Sequence, residues 1–100
     1  ALEIKDMQQE LLLNIEQQLG QFKTEQTLLE VRSLNKKAAS LNLQLAEERL
    51  RNGSINSLDF RSIQTDYLRI SADHLQAIYN TLESETELLR LSGSILKEYE

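Results

Sequence analysis

No proline occurs anywhere in the 100 residues, so nothing in the chain forbids long uninterrupted helices. The strongest break falls in RLRNGSINSLDF, residues 49–60, where Asn52, Gly53, Ser54 and Asn56 stand between two long runs of helix formers. A chain of this kind can fold as two helices that turn back on each other and as little else.

Composition agrees. Hydrophobic residues make up 40%, mostly Leu and Ile, and Glu, Gln, Lys and Arg are abundant, which is the make-up of long helices. Cysteine is absent, excluding a disulfide scaffold, a zinc knuckle and a thiol nucleophile. The formal charge of −5 argues against sequence-independent nucleic-acid binding, which needs a basic stripe. No apolar run approaches the length of a transmembrane helix, and no signal peptide is visible. The opening ALEIKD lacks an initiator Met and is read as an excised piece or a processed product.

Apolar spacing gives the elements. Ile4, Met7 and Leu11, then Ile15, Leu19 and Phe22, follow the 3–4 steps of one helix face. Gly20 lies inside this pattern at a cost of about 1 kcal/mol against Ala. It is a tolerated weak spot, a bend or a close helix contact. SLNLQL, residues 40–45, alternates like a strand, but its neighbours resolve it as helix. Val31, Leu34, Ala38, Leu41 and Leu45 form one stripe, and Leu28, Ala39, Leu43, Ala46 and Leu50 a second, roughly 130° away. After the turn, Ile63, Tyr67, Ile70 and Ala77 make one stripe. Leu68, Ala72, Leu75, Tyr79, Leu82 and Leu89 make another, roughly 120° away.

The expectation is an all-α chain: a single domain over residues 1–100, built as a long antiparallel two-helix coiled-coil hairpin. The first helix is expected at about 2–51, the tip at 52–56 and the second helix at about 57–91. Ser92-Gly93 reads as a C-terminal stop, with 92–100 an ambiguous tail that can resume helix. A hairpin buries one face of each helix, so a second apolar face needs further neighbours. Sideways packing in a bundle or ring follows. The plainer alternative is a slack stripe with weak dimerisation.

Three local devices agree on the turn. Gly53 accepts the left-handed conformation that closes a helix, and Asn52 tolerates it. Asn56 is placed to cap the second helix, with Asp59 as the acidic partner of a capping box. Ile55 and Phe60 are spaced for a hydrophobic staple.

Residues 41–93 resemble the repeat of the TolC-like outer membrane efflux proteins. Glu48, Arg49 and Gly53 match the end of the family's first helix, and Asp59, Gln64 and Leu68 the opening of the second. Tyr79, Leu88, Leu89, Leu91 and Gly93 match its close. The resemblance implies a fragment of a trimeric α-barrel: subunits carrying two copies of the hairpin close a hollow periplasmic tunnel below outer-membrane strands. It places this segment in the periplasm of a Gram-negative cell, with the membrane reached through parts of the parent absent here. The function implied is a passive efflux or secretion conduit, assembled from its own subunits as a homotrimer and docking to a periplasmic adaptor protein and an inner-membrane pump. Gly53, Ser54, Ile55 and Asn56 would be the adaptor-contact tip.

Asp59, Asp66 and Asp73 lie seven residues apart on one helical face. They are candidate pore-lining or gate residues, an acidic lining that favours cations. A solvated face with Arg69 as partner of Asp66 and Asp73 is the competing reading. The resemblance places Asp59 where family members close the inner end. Ile55 stands where a well-known member has an arginine, and Ser62 where it has a second aspartate, which speaks against a charge-network lock of that type. His74 shares a face with Tyr67, Ile70 and Ala77 and reads as an interface histidine, because no second His or Cys could complete a metal site. Glu83 and Glu87, one turn apart, could bridge a divalent ion, though a solvated face is the simpler reading. No nucleophile–base pair, phosphate loop or metal spacing is present, so neither catalysis nor a cofactor is expected. The alternatives to a conduit are a generic coiled-coil module, the hairpin of a periplasmic adaptor, or a cytosolic hairpin that binds partner helices.

Overall fold

The computed structural model describes residues 2–99, with side chains described for 3–93. Two helices account for nearly all of it: α1, Leu2–Arg51, and α2, Ser57–Tyr99. No strand occurs among the described residues, and 40–45 is helical. The all-α two-helix hairpin is the fold. α1 runs through Gly20 without a break, and the Thr24 hydroxyl donates to the Gly20 carbonyl at 3.0 Å.

One expectation is corrected. Ser92-Gly93 does not stop the second helix, which continues to Tyr99. A glycine ends a helix when it turns left-handed, and Gly53 is the only described residue with that backbone, at φ 76°. No proline follows Gly93, and the helix formers Leu96, Lys97 and Glu98 favour continuation.

Contacts divide the chain into two compact units, each made of one segment of α1 and one of α2. The tip unit is Leu28–Ile78, and the terminal unit combines the residues up to Thr27 with those from Tyr79 on. In the tip unit Ala46 and Ala77 are each only 2% exposed. Ala39 and Asn42 of α1 share a groove with Ile63, Tyr67 and Ile70 of α2, and the Arg32 guanidinium lies 3.8 Å from the Asp73 carboxylate. The register therefore sets the small Ala39 opposite Tyr67 and Ala46 opposite Phe60. Small against large is how facing helix positions fill the space between two axes. In the terminal unit the Thr81 hydroxyl donates to the Glu25 carbonyl at 3.3 Å, which fixes the same antiparallel register there.

The covered apolar positions of α1 fall on one 3–4 alternation from Leu50 back through Ala46, Leu43, Ala39, Leu29, Phe22, Ile15 and Leu11, with the small Ser33 and Ser40 partly covered beside it. That is the heptad seam of a coiled coil. Several occupants differ from expectation. Leu29, not Leu28, takes the seam, while Ile4, Met7 and Leu19 are exposed. The seam also carries Gln18 and Glu25 in the terminal unit and Arg32 and Lys36 in the tip unit, all partly covered. α2 contributes His74 to the tip unit, and Thr81 and Ser84 to the terminal unit. Among the described residues no helix is long and apolar enough to cross a membrane.

Candidate functional site

The tip is built by backbone chemistry that its residues dictate. The Ser54 N–H donates to the Arg49 carbonyl at 2.8 Å and the Gly53 N–H to Leu50 at 3.2 Å, the paired bonds of a Schellman closure. Left-handed Gly53 makes that closure possible. The Asn52 side chain sits against the carbonyls of Glu48 and Arg49 and the Ser54 hydroxyl; with its amide nitrogen turned to them it donates to all three, at 3.2, 2.8 and 2.9 Å. Arg49 and Arg51 in the last turn of α1 complement the negative end of its dipole.

α2 opens with Asn56 as its cap: the side-chain oxygen accepts from the Asp59 N–H at 2.8 Å. The second half of the expected capping box is missing. Among the described residues no bond returns from the Asp59 carboxylate to the Asn56 N–H. Aspartate is one methylene shorter than the glutamate that usually spans this distance. Asp59 acts on the helix end through its charge alone. Gly53, Ser54 and Asn56 are exposed, whereas Ile55 and Phe60 are both half-buried, the arrangement a staple gives. Ile55 is thus not a bare hydrophobic knob at the tip.

Asp59, Asp66 and Asp73 are all exposed, beside the seam. Their partners differ from one another. Arg69 pairs with Asp66 at 3.2 Å within α2, whereas Asp73 faces Arg32 of α1. The structure gives Arg69 only one of the two aspartates considered for it. In the terminal unit a polar groove is lined by Gln18, Gln21 and Glu25 of α1 and Asn80, Glu83, Ser84 and Glu87 of α2. Glu25 Oε2 and Ser84 Oγ are covered there without a hydrogen-bond partner. Glu87 is engaged by Arg90, whose Nε donates to it at 3.2 Å. That bond holds the Glu87 carboxyl below its ordinary value and raises Arg90. Glu83 and Glu87 therefore do not present a free carboxylate pair. Among the described residues no three His, Cys, Asp or Glu side chains gather as a metal site. His74 is half-buried in the seam, with Nδ1 unpartnered.

Each unit also exposes apolar side chains. In the tip unit Val31, Leu34, Ala38, Leu41 and Leu45 of α1 are all exposed, with Leu34 at 64% and Leu41 at 62%. Leu68, Ala72 and Leu75 of α2 are exposed likewise, the two leucines at 62% and 64%. In the terminal unit Leu12, Leu13 and Leu19 of α1, and Tyr79, Leu82 and Leu89 of α2, are exposed. One stripe of each helix closes the seam and the other is left to solvent. His74 lies in the seam with Tyr67, Ile70 and Ala77, the face the sequence gives it, but the other polar seam residues were missed because the apolar stripes were read from apolar residues alone. Strict seven-residue counts back from Leu50 and from Ala46 would have found Lys36 on the first and Arg32, Glu25 and Gln18 on the second. No family model, curated protein or solved structure matches the chain.

Proposed function

We propose that this chain is a periplasmic tunnel segment of an outer-membrane efflux or secretion channel, a hairpin that stands between neighbouring hairpins in a trimeric α-barrel and conducts passively. One observation carries the reading: each helix exposes a full apolar row after the seam is closed. A two-helix module that worked alone would have no use for such rows, whereas a wall of helices needs two flanks on every helix. The resemblance over residues 41–93 supplies the kind of wall. The polar surface beside the seam, with Asp59, Asp66 and Asp73, would then line the lumen and favour cations. The tip at Gly53, Ser54, Ile55 and Asn56 would meet the adaptor, mainly through backbone and short polar groups, since Ile55 is half-buried.

A second reading, a generic coiled-coil interaction module, is favoured by a seam that is already complete within one chain. The parent reading frame separates the two. A conduit requires a second copy of this hairpin and strand-forming segments in the same polypeptide, and fractionation of the parent with the outer membrane. A parent with a single hairpin, or one recovered from the cytosol, overturns the proposal.

A further inference from the structure

The outer rows are matched to each other in size. Along α1 the outermost row at seven-residue spacing reads Leu13, Gly20, Thr27, Leu34, Leu41; along α2 it reads Thr65, Ala72, Tyr79, Thr86, Gly93. The register inside the hairpin is fixed by Thr81 on Glu25 and by Arg32 beside Asp73. Carried to a second molecule laid alongside in the same orientation and at the same height, so that its α2 runs antiparallel to α1, that register sets Leu34 opposite Ala72 and Leu41 opposite Thr65. In the terminal unit it sets Leu13 opposite Gly93 and Thr86 opposite Gly20. Large faces small at each of these pairs, as in the hairpin's own seam.

Two of the glycines point the same way. Neither Gly20 nor Gly93 adopts positive φ, and a Cβ built on either meets nothing within 4 Å. Nothing inside the hairpin requires them, and each costs its helix about 1 kcal/mol against Ala. Both fall on an outer row, where absence of a side chain lets another helix approach.

We propose that a second copy of this chain docks the outer row of its α2 onto the outer row of α1, antiparallel and in the register of the hairpin's own seam, with Leu34 seated against Ala72. This rests on the lateral packing in the functional reading and is independent of transport. The interface is heterologous: each copy keeps one row free, so association does not stop at a dimer but continues to a ring or an open array.

The test is a size swap in the full 100-residue chain, read by sedimentation equilibrium. Ala72 and Leu34 are both exposed, so Ala72→Leu and Leu34→Ala leave the seam intact, as circular dichroism will verify. Ala72→Leu is expected to weaken association roughly tenfold or more, by overpacking against Leu34, although it adds apolar surface. Leu34→Ala is expected to weaken it too, and the double swap Leu34→Ala/Ala72→Leu to restore it. Equimolar Leu34→Cys and Ala72→Cys chains, otherwise free of cysteine, are expected to form the mixed disulfide in preference to either self-linked dimer. Stronger association of Ala72→Leu, failure of the double swap to restore, predominant self-linked dimers, or a monomer at every concentration would each overturn the inference. None of these results touches the parent's gene architecture or location, on which the conduit reading is judged.

Discussion

The Thr81 hydroxyl of α2 donates to the backbone carbonyl of Glu25 on α1 at 3.3 Å, so a side chain on one helix is bonded to the main chain of the other. This is possible because Thr81 is short and buried in the seam, where a longer side chain would hold the helices apart. The bond pins register at a place where apolar contact is thin, since Glu25 and Ser84 lie nearby.

Thr81→Val keeps the shape and removes the hydroxyl. The Glu25 carbonyl retains its helical bond, so no acceptor is stranded. A loss of about 0.5–1.5 kcal/mol is expected in urea unfolding. A loss above about 3 kcal/mol would show that the hydroxyl does more than this bond.

Gly53 and Gly20 are expected to respond to alanine with opposite signs. Gly53 is left-handed, and Ala there costs about 1–2 kcal/mol. Gly20 is an ordinary helical residue with open space around it, so Gly20→Ala should gain up to about 1 kcal/mol. Thermal unfolding at low concentration, where association does not contribute, reads both. Equal effects would contradict the different backbone states.

Asn56 carries the cap and Asp59 does not share it. Asn56→Ala is expected to cost about 1 kcal/mol by removing the acceptor for the Asp59 N–H. Asp59→Ala should cost less, about 0.3–1 kcal/mol, because only its charge near the helix N-terminus is lost. A larger loss for Asp59→Ala than for Asn56→Ala would mean that the carboxylate closes the box in solution.

The Glu87–Arg90 pair gives a small pH dependence of known sign. The hydrogen bond from Arg90 lowers the Glu87 carboxyl below its ordinary value in the folded chain. Its contribution is therefore present above the usual glutamate range and fades as pH falls through the lowered folded value. The pair is exposed, so the effect is small. Glu87→Gln should be slightly less stable than the parent sequence near neutrality and equal to it in acid. A gap that widens on acidification would reverse the assignment.

Local chemistry made the helices and the turn readable from the sequence. Absence of proline, the 3–4 spacing, Gly53 as a left-handed closure and Asn56 as a cap all act within a few residues, so their outcome does not depend on what packs where. The missed feature at Gly93 has the same origin in reverse: a glycine permits a stop without compelling one, and the residues beyond it prefer helix. Two apolar stripes per helix were equally visible. Which stripe would close the hairpin was not. That choice depends on how the exit from Gly53 and the entry at Asn56 aim the two helices, and on which pairing sets Ala39 and Ala46 against Tyr67 and Phe60. Once that register is taken, Arg32, Lys36 and His74 in the tip unit, and Gln18 and Glu25 in the terminal unit, are carried into their seams whatever their polarity. The same register leaves Leu34, Leu41, Leu68 and Leu75 facing water. Sequence determined that each helix would have two faces to bury; only the tertiary pairing decided which one was used, because a helix axis can be approached by one partner from one side.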